Sequence, residues 1–476
     1  MKILYVASEA NPYAASGGLG DVMGALPAYV KKHAEDGSEV SVILPLYGNV
    51  AECYRSKMKK INEFHFYLSW RHAYCGIYLL KASGINYYFV DNEYYFKRGA
   101  MYGDFDDGER FAYFSGAVVE FMLNCNYIPD ILHANDWQSA LTVIYLKTKY
   151  STNQALSGIK TVFTIHNIEY QGKYGMNILG DVFGIDSSYS NILEFDGNIN
   201  LMKGAIVCAD MVTTVSPNYA KELEKDFFAF GLHDIVKMYG YKFTGIINGI
   251  DVKYFSPANA EDITKTYTVT KVKEGKRENK RALQEKLGLP VDESIPLIAM
   301  ITRLTAGKGI DLVLCVLDEL LQENIQFVIL GTGDSEYERI MSDICARYPD
   351  KARAIIKFDR KISKEIYSSA DIFLMPSKSE PCGLAQMVSC RYGTIPIVRG
   401  VGGLYDSIIP YGSENSNGFV FYNFNAHEML FKIKEALDLY ENKTEWANLV
   451  KRAMKSDFTW DTSADKYIEI YKELIG

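Results

Sequence analysis

The N-terminal segment decides the fold: residues 3–8 read ILYVAS, residues 16–21 read SGGLGD, and a helix-period stretch runs from Asp21 to His33. A short apolar run followed by glycines and an amphipathic stretch predicts a strand that enters a helix through a tight turn. Similar apolar runs recur downstream, at residues 40–46, 87–91, 128–134, 161–166 and 212–216. Apolar strands that alternate with helices predict a parallel α/β sheet.

A second series of the same kind occupies the later part of the chain, with runs at residues 296–301, 327–330, 354–358, 372–375 and 395–398. The two series predict two Rossmann-like, doubly wound α/β domains in tandem. We expect residues 1–247 in the first domain and 248–456 in the second, with a hinge near Asn248. The stretch 457–476 has apolar residues at helical spacing, so we expect an amphipathic helix that packs back on the first domain.

The composition is that of a globular enzyme and not of a disordered chain, because 48% of the 476 residues are hydrophobic and 23% are charged. The net charge of −8 gives no general attraction to nucleic acid or to an anionic membrane. The eight cysteines never fall in a CxxC spacing, which argues against a zinc module and a disulfide scaffold. Neither a run of about 18 apolar residues nor a signal-peptide cleavage pattern is present. We therefore expect a cytoplasmic protein without a nucleic-acid or membrane partner.

The glycine loop after the first strand is a candidate for holding an anion. Gly17 and Gly18 allow backbone N–H groups to approach a ligand, and the start of the following helix favours negative charge such as a diphosphate. A plain tight turn between strand and helix explains the same residues, and both interpretations stay open. A dinucleotide site is disfavoured because Met23 stands where its third glycine is expected.

Two histidines lie at the ends of predicted strands, at the edge where open α/β sheets bind their ligands. His133 comes shortly before Asp136, and His166 is followed directly by Asn167. A histidine at such a place is often a structural residue that its neighbours satisfy. The sequence therefore leaves a ligand role and a structural role open for each.

The second series carries charged groups at its strand ends. Arg303 and Lys308 lie five residues apart on one predicted strand-to-helix loop. The guanidinium of Arg can donate two parallel hydrogen bonds to a phosphate, and the ammonium of Lys supplies a compact positive charge, so the two suit a diphosphate. A surface charge pair is the other interpretation of the same two residues. Glu380 follows a later strand, and a glycine-bearing loop at residues 399–404 follows the next. Together with the loop and histidines of the first series, these groups indicate a nucleotide-linked substrate held across a cleft.

Eight segments of the chain resemble one family of glycosyltransferases. They are SEANPYAASGGLGDVMGALP at 8–27, YFKRGAMYGDFDDGERFAYFS at 95–115, HANDWQSAL at 133–141, TIHNIEYQG at 164–172, INGID at 247–251, ITRLTAGKGIDL at 301–312, SEPCGLAQM at 379–387 and VRGVGGL at 398–404. This ordered set is similar to the bacterial glycogen synthase and plant starch synthase family. The resemblance implies the GT-B architecture, in which two Rossmann-like domains face a deep cleft.

The resemblance also implies an activity. A member of this family transfers glucose from ADP-glucose to the 4-hydroxyl at the non-reducing end of an α-1,4-glucan, with retention of configuration. The partners implied are ADP-glucose and an α-1,4-glucan or malto-oligosaccharide, with no cofactor beyond the donor substrate. For a chain of plant or algal origin the family implies the plastid stroma in place of the cytoplasm.

Roles for individual residues follow from the resemblance. Arg303 and Lys308 would neutralise the leaving diphosphate, Glu380 would face the donor glucose, and His166 would bind the sugar. Further contacts to donor or substrate would come from Ala15, Gly17, Gly18, Asp21, Asp136, Asn167, Asn248, Cys382, Gly383, Leu384, Gly402, Gly403 and Leu404. No metal-ligand set is visible, so Arg and Lys would replace the divalent ion that other transferases use.

Three positions depart from the family pattern. Ala15 stands where the family usually has Lys, residues 305–309 read TAGKG where many relatives have TxQKG, and Val401 stands where Thr is common. These departures leave open a weakly active or regulatory glucan-binding homologue, and a UDP-glucose-using glucosyltransferase of the same fold. An oxidoreductase fits least well, because the dinucleotide loop is imperfect and the cations lie in the second domain.

Overall fold

The computed structural model describes all residues from 1 to 476. The strands are β1 Lys2–Val6, β2 Glu39–Pro45, β3 Lys59–Leu68, β4 Arg71–Ala82, β5 Ile85–Asp91, β6 Ile131–Asn135, β7 Lys160–Ile165, β8 Lys173–Gly175, β9 Glu194–Phe195, β10 Asn198–Asn200, β11 Met211–Thr214, β12 Phe243–Gly245, β13 Leu297–Ile301, β14 Gln326–Gly331, β15 Ala352–Ile356, β16 Ile372–Met375, β17 Ile395–Arg399 and β18 Phe419–Phe421.

The α-helices alternate with these strands. They are α1 Gly18–His33, α2 Glu52–Arg55, α3 Glu93–Phe96, α4 Asp107–Asn124, α5 Trp137–Lys147, α6 Ile178–Asp181, α7 Ser190–Leu193, α8 Leu201–Cys208, α9 Pro217–Glu222, α10 Asp226–Ala229, α11 His233–Met238, α12 Val272–Leu287, α13 Ile310–Leu320, α14 Ser335–Arg347, α15 Arg360–Ser369, α16 Ala385–Arg391, α17 Gly402–Ser407, α18 Ala426–Glu441, α19 Lys443–Lys455 and α20 Asp461–Ile475. None of them combines the length and apolarity that crossing a bilayer demands.

The chain divides into two compact units. The first comprises Met1–Gly249 and Trp460–Gly476, and the second comprises Ile250–Thr459. The divisions fall two and three residues beyond the expected bounds of 247 and 456. Asn248 therefore lies in the first unit, because the segment after β12 continues along the β11 edge, where the Ile246 N–H donates to the Thr214 carbonyl oxygen.

The first unit is built on a nine-stranded sheet of order β12-β11-β7-β6-β1-β2-β5-β4-β3. The strands from β12 to β5 are parallel, whereas β4 and β3 add an antiparallel hairpin at one edge. The apolar residues of β1 are wholly buried, as expected for a central strand covered on both faces. The sequence runs predicted the parallel strands β1, β2, β5, β6, β7 and β11, but β12, the hairpin and the small sheet β8-β10-β9 were not anticipated.

The second unit is a six-stranded, wholly parallel sheet of order β15-β14-β13-β16-β17-β18. Counted from the first strand of the unit this order is 3-2-1-4-5-6, the order of the Rossmann fold. The central strands β5-β2-β1-β6-β7-β11 of the first unit repeat it. The predicted pair of Rossmann-like domains is therefore confirmed.

The C-terminal helix α20 belongs to the first unit and packs against α1. Its Asp461 carboxylate lies 2.7 Å from Lys32 Nζ and 2.5 Å from His33 Nε2, and Lys472 pairs with Glu35 at 2.7 Å. The basic last turn of α1 thus pairs with acidic residues of α20, and these pairs favour the packing. The same basic residues also complement the negative end of the α1 dipole. All eight cysteines are free.

Candidate active site

In each unit the order of the strands changes direction between two neighbouring strands. The loops that follow these two strands leave the sheet at the same edge and run to opposite faces. The reversal lies between β1 and β6 in the first unit and between β13 and β16 in the second. Ligands of open α/β sheets bind at such a point because the two neighbouring loops diverge and leave a crevice. The predicted site residues lie on the loops that follow these strands and on those that follow β7, β12 and β17.

The glycine loop of the first unit is held by a carboxylate. Glu9 is 4% exposed, and its Oε2 accepts the N–H of Ser16 at 2.6 Å and that of Gly17 at 3.3 Å. Its Oε1 accepts the hydroxyl of Tyr102 at 2.7 Å. Two of the loop amides are therefore already used, whereas Gly18 begins α1 with no side-chain cap over the first turn. Sequence reasoning missed Glu9, whose signal was a carboxylate directly after β1.

Ala15 packs against the helix that follows the loop. A Cβ added at Gly20 would lie 2.5 Å from the Ala15 Cβ and 3.0 Å from Glu9 Oε2. Residue 20 must therefore be glycine for the loop to pack this closely against α1. Gly17 and Gly18 are exposed, and a Cβ added at either would meet no atom within 4 Å. The neighbouring Asp21 is half-buried and accepts a hydrogen bond from the Asn11 amide at 3.3 Å.

Asp136 and His166 are brought together at the ends of β6 and β7. The carboxylate Oδ1 of Asp136 accepts the backbone N–H of His166 at 2.8 Å. Asp136 has φ of +58°, a conformation that a non-glycine residue adopts only when its surroundings hold it there. Burial raises the pKa of its carboxyl to about 7, although the N–H groups of His166 and Asn167 oppose that rise. Asp136 therefore changes charge near neutral pH.

His166 is held in one tautomer. Its Nε2 lies 3.0 Å from Asn135 Oδ1, and the Asn135 amide nitrogen donates to the Val6 and His133 carbonyl oxygens at 3.3 and 3.2 Å. Because the amide is oriented in this way, Nε2 carries the proton and donates it, which leaves Nδ1 as an acceptor. Burial lowers the pKa of His166 to about 3, so the ring is neutral.

His133 has a structural role. It is fully buried, and its two ring nitrogens lie 2.6 Å from the Tyr471 hydroxyl and 2.5 Å from Thr164 Oγ1. Tyr471 also pairs with Tyr5 at 2.9 Å. This buried chain of hydrogen bonds joins α20 to the strands β1, β6 and β7, directly beneath the Asp136 and His166 pair.

Two amides complete the first unit's set. Asn167 is half-buried, and its Oδ1 accepts the Glu169 N–H at 3.0 Å in a local turn. Asn248 is 6% exposed, and its Oδ1 has no hydrogen-bond partner in the protein. An unpaired buried oxygen costs about 1–3 kcal/mol, and a ligand hydroxyl would remove that cost.

The second unit brings Lys308 and Glu380 into contact. Lys308 Nζ lies 2.6 Å from Glu380 Oε2, which also accepts the Ser377 hydroxyl at 2.9 Å. Glu380 is 7% exposed, whereas Arg303 is exposed and its side chain makes no hydrogen bond or ion pair within the protein. The loops after β13 and β16 are joined where the Lys378 N–H donates to the Gly307 carbonyl oxygen at 3.0 Å.

The glycines that begin α17 pack against the loop of Glu380. A Cβ at Gly402, where φ is +43°, would clash with the Glu380 carbonyl oxygen. The Gly403 N–H donates to the carbonyl oxygens of Glu380 and Pro381 at 3.2 and 3.1 Å, and the Leu404 N–H donates to Val401 at 3.0 Å. The amides of Gly403 and Leu404 therefore have partners within the protein, and the phosphate role of residues 402–404 stays a prediction.

The remaining predicted residues lie on the same loop. Cys382 is buried, Gly383 has φ of +71°, and Leu384 is half-buried just before α16. Phe358, which ends the predicted apolar run 354–358, lies two residues beyond the end of β15 and is 80% exposed.

Comparisons with known proteins agree with this geometry. Residues 2–238 match the family model of the starch synthase catalytic domain, and residues 279–453 match that of glycosyl transferases group 1. The chain is 47% identical to a glycogen synthase of Lactobacillus acidophilus over the full length of both proteins. It is 46% identical to a glycogen synthase of Clostridium botulinum, covering all of this chain and 99% of that protein.

Solved structures give the same result. The catalytic domain of starch synthase IV from Arabidopsis thaliana, bound to ADP and acarbose, matches with a TM-score of 0.91 at 32% identity over 99% of both chains. A sucrose-phosphate synthase from Thermosynechococcus elongatus matches with a TM-score of 0.62 at 16% identity, over 99% of this chain and 98% of that one, and supports the fold alone. The chain therefore belongs to the glycogen synthase and starch synthase family of GT-B glycosyltransferases and is a glucosyltransferase.

Proposed function

We propose that the protein uses ADP-glucose as its donor and extends an α-1,4-glucan at the non-reducing 4-hydroxyl with retention of configuration. The observation that carries this proposal is the contact between Lys308 and Glu380, with the unpaired Arg303 on the same loop as Lys308. Two cations beside a buried carboxylate suit a substrate that ends in a diphosphate next to a sugar. The ADP bound to the starch synthase IV neighbour supports the choice of nucleotide.

In the proposed reaction, the bond between C1 of the donor glucose and the β-phosphate oxygen breaks, and C1 bonds to O4 of the acceptor on the same face. The proton on O4 passes to the departing phosphate oxygen, so no protein nucleophile is required. Arg303 and Lys308 stabilise the negative charge that grows on the diphosphate. Lys308 is held in place by Glu380 before the donor arrives, which reduces the reorganisation that the reaction requires.

The first unit supplies hydrogen-bonding groups for sugar hydroxyls, and two of the three are neutral. His166 offers an acceptor at Nδ1, and Asn248 offers an unpaired buried oxygen. Asp136 accepts the His166 N–H and titrates near neutral pH, so it can accept from or donate to a hydroxyl. Neutral groups suit hydroxyls better than full charges do, because they need not be desolvated as ions.

We further propose that the adenine base stacks on Phe358. Neighbouring strands lie about 4.8 Å apart, so the end of β15 lies roughly 10 Å from the end of β13, where Arg303 follows. A nucleoside diphosphate is long enough to span that separation. The 80% exposed ring of Phe358 offers the base an apolar face at the right edge of the sheet.

Initial rates on the purified protein test the proposal, with ADP-glucose and UDP-glucose as donors and glycogen as acceptor. We expect turnover with ADP-glucose, and we expect Glu380→Gln to abolish most of it while the protein still folds. Turnover with UDP-glucose alone would assign the chain to the other donor class. Glycogen binding without turnover on either donor would favour the regulatory homologue. Absence of a metal requirement and a cytoplasmic location are part of the proposal, and a chelator in the assay tests the first.

A further inference from the structure

The outer face of the β3–β4 hairpin carries a row of aromatic rings. Phe66 and Leu68 point inwards, and the Phe66 ring packs on Tyr113 with 5.3 Å between ring centroids. The side chains that alternate with them point the other way. We define the ring face as His65, Tyr67, His72 and Tyr74, with Trp70 at the hairpin tip.

The rings of this face are in contact with one another. The Tyr67 and His72 centroids lie 4.8 Å apart, those of His65 and His72 5.0 Å, and those of His65 and Tyr74 5.7 Å. Tyr67 is 61% exposed and both histidines are exposed. The spacing is comparable to the width of one sugar ring, and the row follows the sheet edge.

Trp70 is exposed yet fixed. It is 68% exposed, its Nε1 donates to Asp181 Oδ1 at 2.8 Å, and the Arg71 guanidinium lies 4.4 Å from its ring centroid. Arg71 in turn donates to the Asp181 carbonyl oxygen at 2.6 Å, and the Ser69 hydroxyl donates to the Gly180 carbonyl oxygen at 2.8 Å. A large ring held in this way loses little conformational entropy when a ligand binds.

Two of the three cations beside the ring face are paired. Lys60 pairs with Glu63, and Arg71 pairs with Glu109 at 3.1 Å and with Asp181 at 3.4 Å. The third, Lys149, donates to the Tyr67 carbonyl oxygen at 3.0 Å, so the face carries a single cation and not the basic cluster that attracts phosphate backbones or anionic lipids. The rings of this face offer apolar surfaces and polar edges, and Ile61, which is 39% exposed, is the aliphatic side chain of β3 that reaches solvent. This chemistry matches a neutral sugar chain, which presents C–H faces to rings and hydroxyls to polar edges.

We propose that the ring face binds a segment of α-1,4-glucan and anchors the polymer away from the reacting end, an inference that rests on the proposed function. Five steps separate β3 from β6 in the sheet, which corresponds to about 24 Å at about 4.8 Å per step. An acceptor of two or three sugars at the Asp136 and His166 site cannot reach the ring face, whereas a long chain or a branched polymer can. Occupation of both sites raises the apparent affinity for polymer through effective concentration.

The test compares the parent with the double variant Tyr67→Ala/Trp70→Ala and with the single variant Tyr67→Ala. Tyr241→Ala is the matched control, because its ring is 82% exposed in the same unit and outside the ring face. Retention in gels that contain glycogen measures binding, and steady-state rates are measured with glycogen and with maltotriose. For the double variant we expect KM for glycogen to rise about tenfold, with kcat and KM for maltotriose unchanged.

Several outcomes separate this proposal from its alternatives. Equal retention of the parent and the double variant would overturn it, as would an equal loss in Tyr241→Ala. A dimer in the parent that dissociates in the double variant would identify the face as an interface between copies of the chain. If the double variant fails to fold, Tyr67→Ala decides the matter, because it leaves the Trp70 and Asp181 contact intact. If neither acceptor is extended by the parent, the proposed function fails, while gel retention still reports on the ring face.

Discussion

The two units share one strand order but end their strands in different chemistry. In the first unit, a carboxyl with a pKa of about 7 follows β6, a neutral histidine follows β7 and an unpaired buried amide oxygen follows β12. In the second unit, Arg303, which has no partner, and the Lys308 and Glu380 ion pair follow β13 and β16. The fold thus supplies two similar crevices, and the few residues after each strand make one suitable for hydroxyls and the other for phosphates.

The largest effect is expected where charge is lost from the second unit. Arg303→Ala and Lys308→Ala each remove one cation from the leaving diphosphate, which should cost about 2–4 kcal/mol of transition-state stabilisation, or two to three orders of magnitude in kcat. Steady-state rates with ADP-glucose measure the loss. Lys451→Ala, an exposed lysine of the same unit, is the control. Turnover near the parent level in either variant would remove that residue from the phosphate site.

The first unit should respond to loss of charge in a different way. Asp136→Asn keeps an oxygen for the His166 N–H, so the geometry is preserved, but we expect kcat to fall about 10- to 100-fold. Because the folded-state pKa of Asp136 is raised, the folded protein binds more protons than the unfolded chain between about pH 4 and 7. The parent therefore loses stability as pH rises through that window.

Thermal or urea unfolding of Asp136→Asn at two pH values checks this sign. The free energy of unfolding should exceed that of the parent by about 1–3 kcal/mol at pH 8 and by little at pH 4. Asp226→Asn, at a carboxyl that is 79% exposed, should show no such difference. A variant less stable than the parent at pH 8 would mean that the charged Asp136 is favourable where it lies.

Much of the fold could be predicted from sequence because central parallel strands are apolar on both faces. Apolar runs such as residues 3–8 and 161–166, separated by helical stretches, predict buried parallel strands, and they contain β1 and β7. The site loops followed, since they lie where those strands end. The β3–β4 hairpin was missed because its residues 59–68, KKINEFHFYL, alternate and bury only one face.

Contacts between distant residues set the limit of the sequence analysis. Nothing local indicates that His133 would be bound by Tyr471, a residue 338 positions later, or that Glu9 would hold the glycine loop. The amides of Gly403 and Leu404 were expected to bind phosphates. In the structure, the carbonyl oxygens of Glu380 and Pro381 lie close enough to accept the Gly403 N–H. Burial and partner choice depend on packing, which a single sequence does not state.

A substitution at Ala15 tests whether a positive charge in the first unit can act like the cations of the second unit. A lysine there would add positive charge to the first unit, beside the exposed Gly17 and Gly18. Because Ala15 and Lys share a Cβ, the contact with Gly20 should survive the change. We expect Ala15→Lys to raise kcat/KM for ADP-glucose about tenfold, as one restored charge-assisted contact of about 1.5–3 kcal/mol implies.

kcat/KM is measured for the parent and for Ala15→Lys with ADP-glucose and with UDP-glucose. A parallel variant, Ala15→Met, adds length without charge and separates electrostatics from packing. Equal or lower kcat/KM in the lysine variant would mean that this chain has adapted its loop to a small residue. The glycine loop would then be a turn held by Glu9 and not a contributor to the phosphate site.

The smallest effect concerns Phe358, which distinguishes recognition of the base from neutralisation of the phosphates. Phe358→Leu removes the aromatic ring but keeps an apolar side chain, so the loss should be about 0.5–1.5 kcal/mol, or a rise of roughly three- to tenfold in KM for ADP-glucose. Since Phe358 follows β15, whose end lies about 10 Å from the end of β13 that precedes Arg303, kcat should stay near the parent value. Competition by ADP and by inorganic diphosphate sharpens the test: ADP should inhibit the variant less strongly than the parent, whereas diphosphate should inhibit both equally. If diphosphate also inhibits the variant less strongly than the parent, Phe358 supports the phosphate loops, and recognition of the base would not be assigned to it.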